Sequence, residues 1–191
     1  MEAFISRVII FLKPKIQKLK NMKKILGLAL VLVTLSTAAN AQADATATAT
    51  ATIVTPISIA RNVHMNFGNI AVQTATGGDV ILAPDGTRTT GGAGGVTLPV
   101  TVGTVTAADF TVSGQASYTY DITLPASVVL SGPGANMTAS AFTCSIGLTA
   151  GNLGTGGTET FQVGATLAVA AAQVAGTYVS GTPFTVTVNY N

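Results

Sequence analysis

The sequence predicts an all-β protein, an antiparallel β-sandwich of roughly eight to ten strands. Three observations support this fold class. From residue 42 onwards lysine is absent, and threonine, valine, alanine and glycine dominate, which is typical of strands and turns. Within that region apolar and polar residues alternate with the period of two of a half-buried antiparallel strand. Clusters rich in glycine or proline separate the alternating runs.

Three runs alternate most clearly, and each predicts a strand with one buried face. The alternating residues are Tyr118, Tyr120, Ile122 and Leu124 in the first run, Phe161, Val163, Ala165, Leu167 and Val169 in the second, and Phe184, Val186, Val188 and Tyr190 in the third. Residues 80–82 and 87–90 flank the sequence Ala-Pro-Asp-Gly. There proline presets φ, aspartate bonds to nearby backbone and glycine takes the left-handed position. This segment therefore predicts a hairpin.

The first 41 residues differ from the rest and predict a secretory signal peptide. Seven of the nine lysine and arginine residues fall within residues 1–24, an uncharged apolar stretch follows at 25–39, and Ala39-Asn40-Ala41 offers a cleavage site. A retained membrane anchor is the alternative, disfavoured because the stretch is shorter than the ~20 residues of a spanning helix. Met22 begins a good signal peptide by itself, so we hypothesise that residues 1–21 reflect a misassigned start. The expected location is the periplasm, the cell surface or the medium.

The expected processed chain, residues 42–191, has the size of a single domain. It holds six acidic residues against Arg61 and Arg88, so the net charge of +2 of the whole sequence becomes mildly negative after cleavage. This balance excludes nucleic-acid binding, because almost no cations remain to neutralise phosphates. After processing we expect no permanent membrane span.

Residues 44–60 carry the most informative pattern. Four Ala-Thr repeats, residues 45–52, place alanine at odd positions, and Ile53 continues that parity. The predicted strand-exchange face consists of Ala45, Ala47, Ala49, Ala51 and Ile53. Fully extended, the fifteen residues 45–59 would span on the order of 50 Å, much longer than a typical strand. Three interpretations stay open: a projecting strand (44–53) that is added to a neighbouring copy, an ordinary first strand interrupted near Pro56, and an inert linker.

No constellation of residues predicts catalysis, and we expect no catalytic, cofactor-binding or metal-binding residues. His64 is the single histidine, and one histidine with one cysteine supplies too few ligands for zinc. The glycine clusters lack the lysine and the helix of a phosphate loop. Asp79 and Asp85 could contribute to a calcium site, but solvated turn acids are favoured because calcium needs about six oxygens. Cys144 is interpreted as a buried small hydrophobe, with an intermolecular disulfide as the alternative.

Several short segments follow one another in a specific order. They are IVTPISI at 53–59, MNFGNI at 65–70, FTVSG at 110–114, YTYDITLP at 118–125, VGATL at 163–167, GTY at 176–178 and VNY at 188–190. Together they resemble the exported bacterial family described as domain of unknown function 4402, over nearly all of the expected mature chain. The resemblance implies an immunoglobulin-like or pilin-like sandwich, since that family is itself similar to fimbrial subunits and to spore-coat U-type proteins.

The resemblance also implies a mode of assembly. In chaperone–usher pilins an N-terminal alternating extension fills a groove in the next subunit, and the chaperone grips the C-terminal strand. Residues 45–53 match the extension in kind, and Phe184, Val186, Val188 and Tyr190 match the C-terminal groove strand. Many such pilins carry an intradomain disulfide, which Cys144 alone cannot form.

We therefore expect a non-catalytic structural or adhesive cell-surface protein, a pilin-like subunit that assembles by N-terminal strand exchange. Its expected partners are further copies of itself or related surface subunits, with a periplasmic chaperone implied by the resemblance. The alternative is a monomeric exported sandwich that binds an extracellular ligand such as a glycan. Its stacking candidates are Tyr118, Tyr120, Tyr178 and Tyr190, most of which belong to or adjoin apolar stripes.

Overall fold

The computed structural model describes residues 42–149 and 151–191. The predicted signal peptide (residues 1–41) and the start hypothesised at Met22 lie outside the described residues. Thr52–Asn191 form one compact unit. Residues 42–51, taken by themselves, are exposed and form neither helix nor strand. Across the described ranges there is no helix with the length and apolar character that crossing a membrane requires.

The described chain is all-β, which confirms the predicted fold class. Its strands are β1 Ser58–Val63, β2 Asn66–Phe67, β3 Ala71–Val72, β4 Gly78–Leu82, β5 Arg88–Gly91, β6 Val96–Thr97, β7 Val105–Thr106, β8 Ala108–Ser113, β9 Thr119–Thr123, β10 Ser127–Ser131, β11 Met137–Cys144, β12 Gly151–Asn152, β13 Thr158–Val169, β14 Val179–Ser180 and β15 Thr187–Tyr190. The nine strands of four or more residues agree with the predicted roughly eight to ten. Sequence alternation did not predict the six two-residue strands, because a pair of residues is too short to show a period.

The strands form an antiparallel sandwich with one large, curled sheet. That sheet has the order β1-β8-β13-β11-β10-β14, with β4 and β5 attached beside β13. The first half of β13 pairs with β8, its second half pairs with β4, and its other edge pairs with β11. The three-stranded sheet β12-β9-β15 packs on the β1, β8 and β13 region, and the small sheets β2-β7 and β3-β6 cover the rest.

Two clusters of buried side chains fill the sandwich. The first core cluster contains Ala108, Phe110, Val112, Tyr120, Ile122, Leu153, Phe161, Val163, Val186 and Val188. The second core cluster contains Phe67, Val80, Leu82, Val96, Met137, Ala139, Ala165, Leu167 and Val169. β13 contributes to both clusters, because every second residue from Phe161 to Val169 is buried, as the predicted stripe requires. In the first predicted stripe Tyr120 and Ile122 are buried, whereas Tyr118, which precedes β9, is 42% exposed.

The predicted hairpin is confirmed as the β4–β5 pair, in which Leu82 lies opposite Arg88. Gly86 has φ +84° and its N–H donates to the Ala83 carbonyl at 3.0 Å, which is the geometry expected of the turn glycine. Asp85 Oδ1 accepts hydrogen bonds from the Thr87 backbone N–H at 2.9 Å and from the Thr87 hydroxyl at 2.7 Å. The backbone hydrogen bond from Thr87, followed by the hydroxyl bond, lowers the pKa of Asp85. The turn is thus specified by local chemistry.

Candidate functional site

The arm, residues 44–53, contains the predicted strand-exchange face. No residue between 42 and 57 lies in a strand, and β1 begins only at Ser58. Every side chain from residue 44 to 53 is exposed, and Ile53 is 97% exposed. An isoleucine that makes almost no contact within its own chain has its apolar surface available to a partner.

The C-terminal strand supplies the second predicted element. Val186 and Val188 are buried in the first core cluster, at 8% and 7% exposure, while Phe184 and Tyr190 are half-buried against it. The Phe184 ring lies 5.1 Å from the Phe142 ring between centroids. All four residues therefore face one core, although regular pairing in β15 begins only at Thr187. This arrangement follows from the alternation that the sequence shows.

One edge of β15 has no strand beside it among the described residues, because β15 is the terminal strand of the sheet β12-β9-β15. Thr187 lies opposite Thr123 and Tyr190 lies opposite Tyr120. Just past this ladder, the Asn191 N–H donates to the Thr119 carbonyl at 3.3 Å. Because hydrogen-bonding direction alternates along an antiparallel strand, this bond directs the backbone groups of Val188 and Tyr190 away from β9. These groups face the open edge of the sheet.

The edge of β1 borders the same core cluster. β1 pairs with β8 and terminates the large sheet, so within residues 42–149 and 151–191 its other edge lacks a strand partner. Ile57 and Ile59 pack half-buried against the first core cluster, to which Val186 and Val188 also belong. β1 and β15 are in contact, although they belong to different sheets. Two strand edges thus border the same apolar interior.

A cluster of hydrogen bonds holds the chain where residues 44–53 approach β1. The Tyr190 hydroxyl donates to the Thr55 carbonyl at 2.8 Å and accepts from the Gln115 backbone N–H at 2.6 Å. The Thr55 N–H donates to Gln115 Oε1 at 3.2 Å. Both backbone groups of Thr55 are therefore engaged by side chains. The alternation in the sequence predicts Tyr190 as part of a strand, whereas Gln115 and Thr55 do not stand out in any pattern and are not predicted.

Tyr120 brings a hydroxyl group into the first core cluster. Its side chain is fully buried, and its hydroxyl donates to Glu159 Oε2 at 2.8 Å. The same carboxylate oxygen accepts the Asn152 N–H at 2.7 Å. Burial, followed by the hydrogen bond and the negative charge of Glu159, raises the pKa of Tyr120. Burial also raises the pKa of the thiol of Cys144, which is half-buried and free.

The raised pKa of Tyr120 predicts that the fold loses stability at alkaline pH. Because the pKa of this tyrosine is higher in the folded than in the unfolded protein, its protonated hydroxyl stabilises the fold fully at pH values below the ordinary pKa of about 10. This stabilisation is lost as the pH rises from about 10 towards the folded-state pKa. Tyr120→Phe should lower the free energy of unfolding at neutral pH by about 1.5–3 kcal/mol, the net value of one hydrogen bond to a charged group. It should also flatten the decline above pH ~10 in urea titrations. Tyr118→Phe is the control; an equal flattening in that variant would contradict the assignment.

The residues considered for metal or catalytic chemistry are not brought together. His64 is exposed, and its backbone carbonyl accepts the Thr106 hydroxyl at 2.7 Å. Asp79 lies opposite Gly91 at the open end of the β4–β5 hairpin and Asp85 lies in its turn, so a shared calcium site at these acids is not supported. In the part of the chain that the structure describes, no group of three or more histidine, cysteine, aspartate or glutamate residues could hold a metal ion.

The four tyrosines considered for glycan stacking lie in different surroundings. Tyr120 is buried, and the Tyr178 hydroxyl donates to the Val174 carbonyl at 2.8 Å. Tyr118 is 42% exposed and meets Tyr190 edge-on, with ring centroids 5.5 Å apart. They do not form one aromatic platform, since Tyr120 is enclosed in the core.

The sequence model of one protein family, Domain of unknown function (DUF4402), matches residues 57–190. No curated protein matches the chain significantly, and no solved structure does so. The family match begins where Ile57 first packs on the core, and it includes both β1 and β15.

Proposed function

The chain belongs to the DUF4402 family, and on that premise we propose that it is an exported, non-catalytic structural subunit of the bacterial cell surface. Copies assemble by strand addition: the arm of one copy, residues 44–53, pairs with the open edge of β15 in the next. The observation that carries this proposal is the coexistence of an exposed, one-sided arm with two open strand edges around one core.

The dimensions of the arm and the edge support strand addition. Residues 45–53 extend over about 30 Å at about 3.3 Å per residue. The C-terminal run 184–190 is slightly shorter, so the arm can cover its whole length. Backbone groups of Val188 and Tyr190 face the open edge and would pair with an added strand, which is how exposed sheet edges recognise extended peptides. The added strand would also shelter an edge that otherwise invites unspecific pairing.

The energetics favour the odd-numbered face as the buried one. Burying the four alanine methyl groups contributes roughly 3 kcal/mol, and burying Ile53 adds about 1.5–3 kcal/mol. Each backbone hydrogen bond adds a net of about 1 kcal/mol, from which the cost of ordering the arm must be subtracted. Ile53 is therefore the anchor, and the repeat supplies length and backbone pairing. Since a pure repeat can slip by two residues, Ile53 also sets the register.

The open edge of β15 also explains why a periplasmic chaperone is expected as a second partner. Until an arm arrives, the half-buried Phe184 and Tyr190 and the open β15 edge need cover, which is the role of the periplasmic chaperone in this proposal. The absence of catalysis is part of the proposal. It draws support from the hydrogen bond that the buried Tyr120 donates to the Glu159 carboxylate, which engages both groups structurally.

Concentration-dependent association tests this function. The full chain, exported from a bacterial host and purified in its processed form, should give a ladder of oligomers whose mean size rises with protein concentration in mass photometry. Strand addition between identical copies is open-ended, so the ladder should not stop at a dimer. A chain that stays monomeric at every concentration would overturn the proposal. Reproducible binding of that monomer on a glycan array would favour the ligand-binding alternative.

A further inference from the structure

The arm has a competitor within its own chain. If the chain reversed just before β1, the arm could fold back and pair with the open edge of β1. The arm would then cover a strand edge of its own subunit instead of an edge in a neighbouring copy. Tethered segments experience an effective concentration in the millimolar range. At ordinary protein concentrations a self-closing arm would therefore outcompete the arm of a neighbouring copy.

The sequence at Pro56 would allow this reversal. Proline presets φ for the second position of a type I or type II turn, here Thr55-Pro56-Ile57-Ser58. Four-residue hairpin loops are most often built around a type I turn. A chain that reversed at this point would place the arm alongside β1. Nevertheless, residues 51–57 contain neither a turn nor a bend.

The contacts of Thr55 explain why the chain does not reverse. Its carbonyl accepts the Tyr190 hydroxyl at 2.8 Å. Its N–H donates to Gln115 Oε1 at 3.2 Å, and the Gln115 N–H donates to the Tyr190 hydroxyl at 2.6 Å. The Tyr190 ring is itself held edge-on against Tyr118. Both backbone groups of Thr55 are thus held by the side chains of Gln115 and Tyr190, and a reversal of the chain at this residue would have to break these bonds.

We propose that Tyr190 and Gln115 form a clamp on Thr55 that prevents the arm from folding back onto β1 and so keeps it available to a second copy of this chain. This inference rests on the proposed function, because it names the device that directs the arm to a neighbour. Tyr190 is a positioning residue here. It belongs to the strand that accepts the incoming arm, so one residue links the accepting edge and the donating arm of each copy.

Tyr190→Phe tests the clamp, because it removes the hydroxyl and keeps the ring. In the full chain, exported and purified as a monomer at low concentration, hydrogen exchange at residues 45–53 should slow as the arm folds back. Oligomer formation should fall by about fivefold, the value of one net hydrogen bond. Gln115→Ala should act in the same direction. So should Gly114→Ala, whose added methyl would collide with the Tyr190 hydroxyl.

Tyr178→Phe is the matched control, because it removes a hydroxyl that donates to a backbone carbonyl at the same 2.8 Å distance, in a bond that does not involve Thr55. It should leave arm exchange and oligomer formation at wild-type values. Unchanged arm exchange and unchanged oligomers in Tyr190→Phe, with the wild type assembling, would overturn the clamp and leave strand addition standing. A wild type that never assembles would overturn strand addition instead. In that case slower arm exchange in the Tyr190→Phe monomer would still support the clamp.

Discussion

Deletion of residues 45–52 should abolish oligomer formation while the compact unit Thr52–Asn191, which loses only the exposed Thr52, stays folded. The deleted residues are all exposed and lie outside every strand, so the two core clusters lose no member. Assembly in contrast loses most of its backbone pairing and four buried methyl groups, roughly 3 kcal/mol from the methyl groups alone. Mass photometry reports the oligomers, and urea unfolding reports the fold.

A repeat with reversed order is the sharper control for this deletion. Exchanging alanine and threonine within each of the four repeats keeps length and composition, but it moves the small apolar face to the side opposite Ile53. We expect this variant to assemble much less than the wild type, because threonine hydroxyls would then face the core of the next copy without hydrogen-bond partners. If the variant with the reversed repeat assembled as well as the wild type, the side of the arm on which the alanines lie would be irrelevant to assembly. If the deletion variant assembled as well as the wild type, the proposal of strand addition would be overturned.

Phe161→Ala should have the largest effect on stability, lowering the free energy of unfolding by about 3–5 kcal/mol. Phe161 is fully buried at the centre of the first core cluster, and its ring stacks on Phe110 with centroids 5.6 Å apart. It lies on β13, the strand that pairs with β8 at this position. Since a domain is stable by only about 5–15 kcal/mol, such a loss removes a large fraction of its total stability.

Urea titration of Phe161→Ala against Val129→Ala checks this expectation. Val129 lies on β10 and is 46% exposed, so its truncation removes little buried surface and should cost well under about 1 kcal/mol. Equal costs for the two variants would mean that β13 does not contribute the centre of the core. A cost above about 3 kcal/mol for Phe161 alone would agree with the packing described above.

The strand interiors were predictable from sequence because burial on one face imposes a period of two. The stripe from Phe161 to Val169 and the pair Tyr120 and Ile122 are buried as the alternation requires. The β4–β5 turn was predictable because proline, aspartate and glycine each have a local conformational preference. By the same reasoning the parity of the arm is a property of the sequence, while its use in assembly remains a proposal.

Other features depend on residues that are far apart in the chain. The clamp joins Thr55, Gln115 and Tyr190, separated by 60 and 75 residues, and a hydrogen bond between distant residues leaves no periodic signal. The half-burial of Cys144 depends on neighbouring strands rather than on its own apolar run.

The sequence by itself determined the all-β class, the inward face of each long strand and the one-sided character of the arm, because these follow from local conformational preference and from the two-residue repeat of a strand. Only the tertiary structure decided which edges stay open and how β13 divides its pairing between β8 and β4. It also decided that Thr55 is held by Tyr190. These features depend on which distant segments meet, and that choice is made by the packing of the whole core rather than by any one segment.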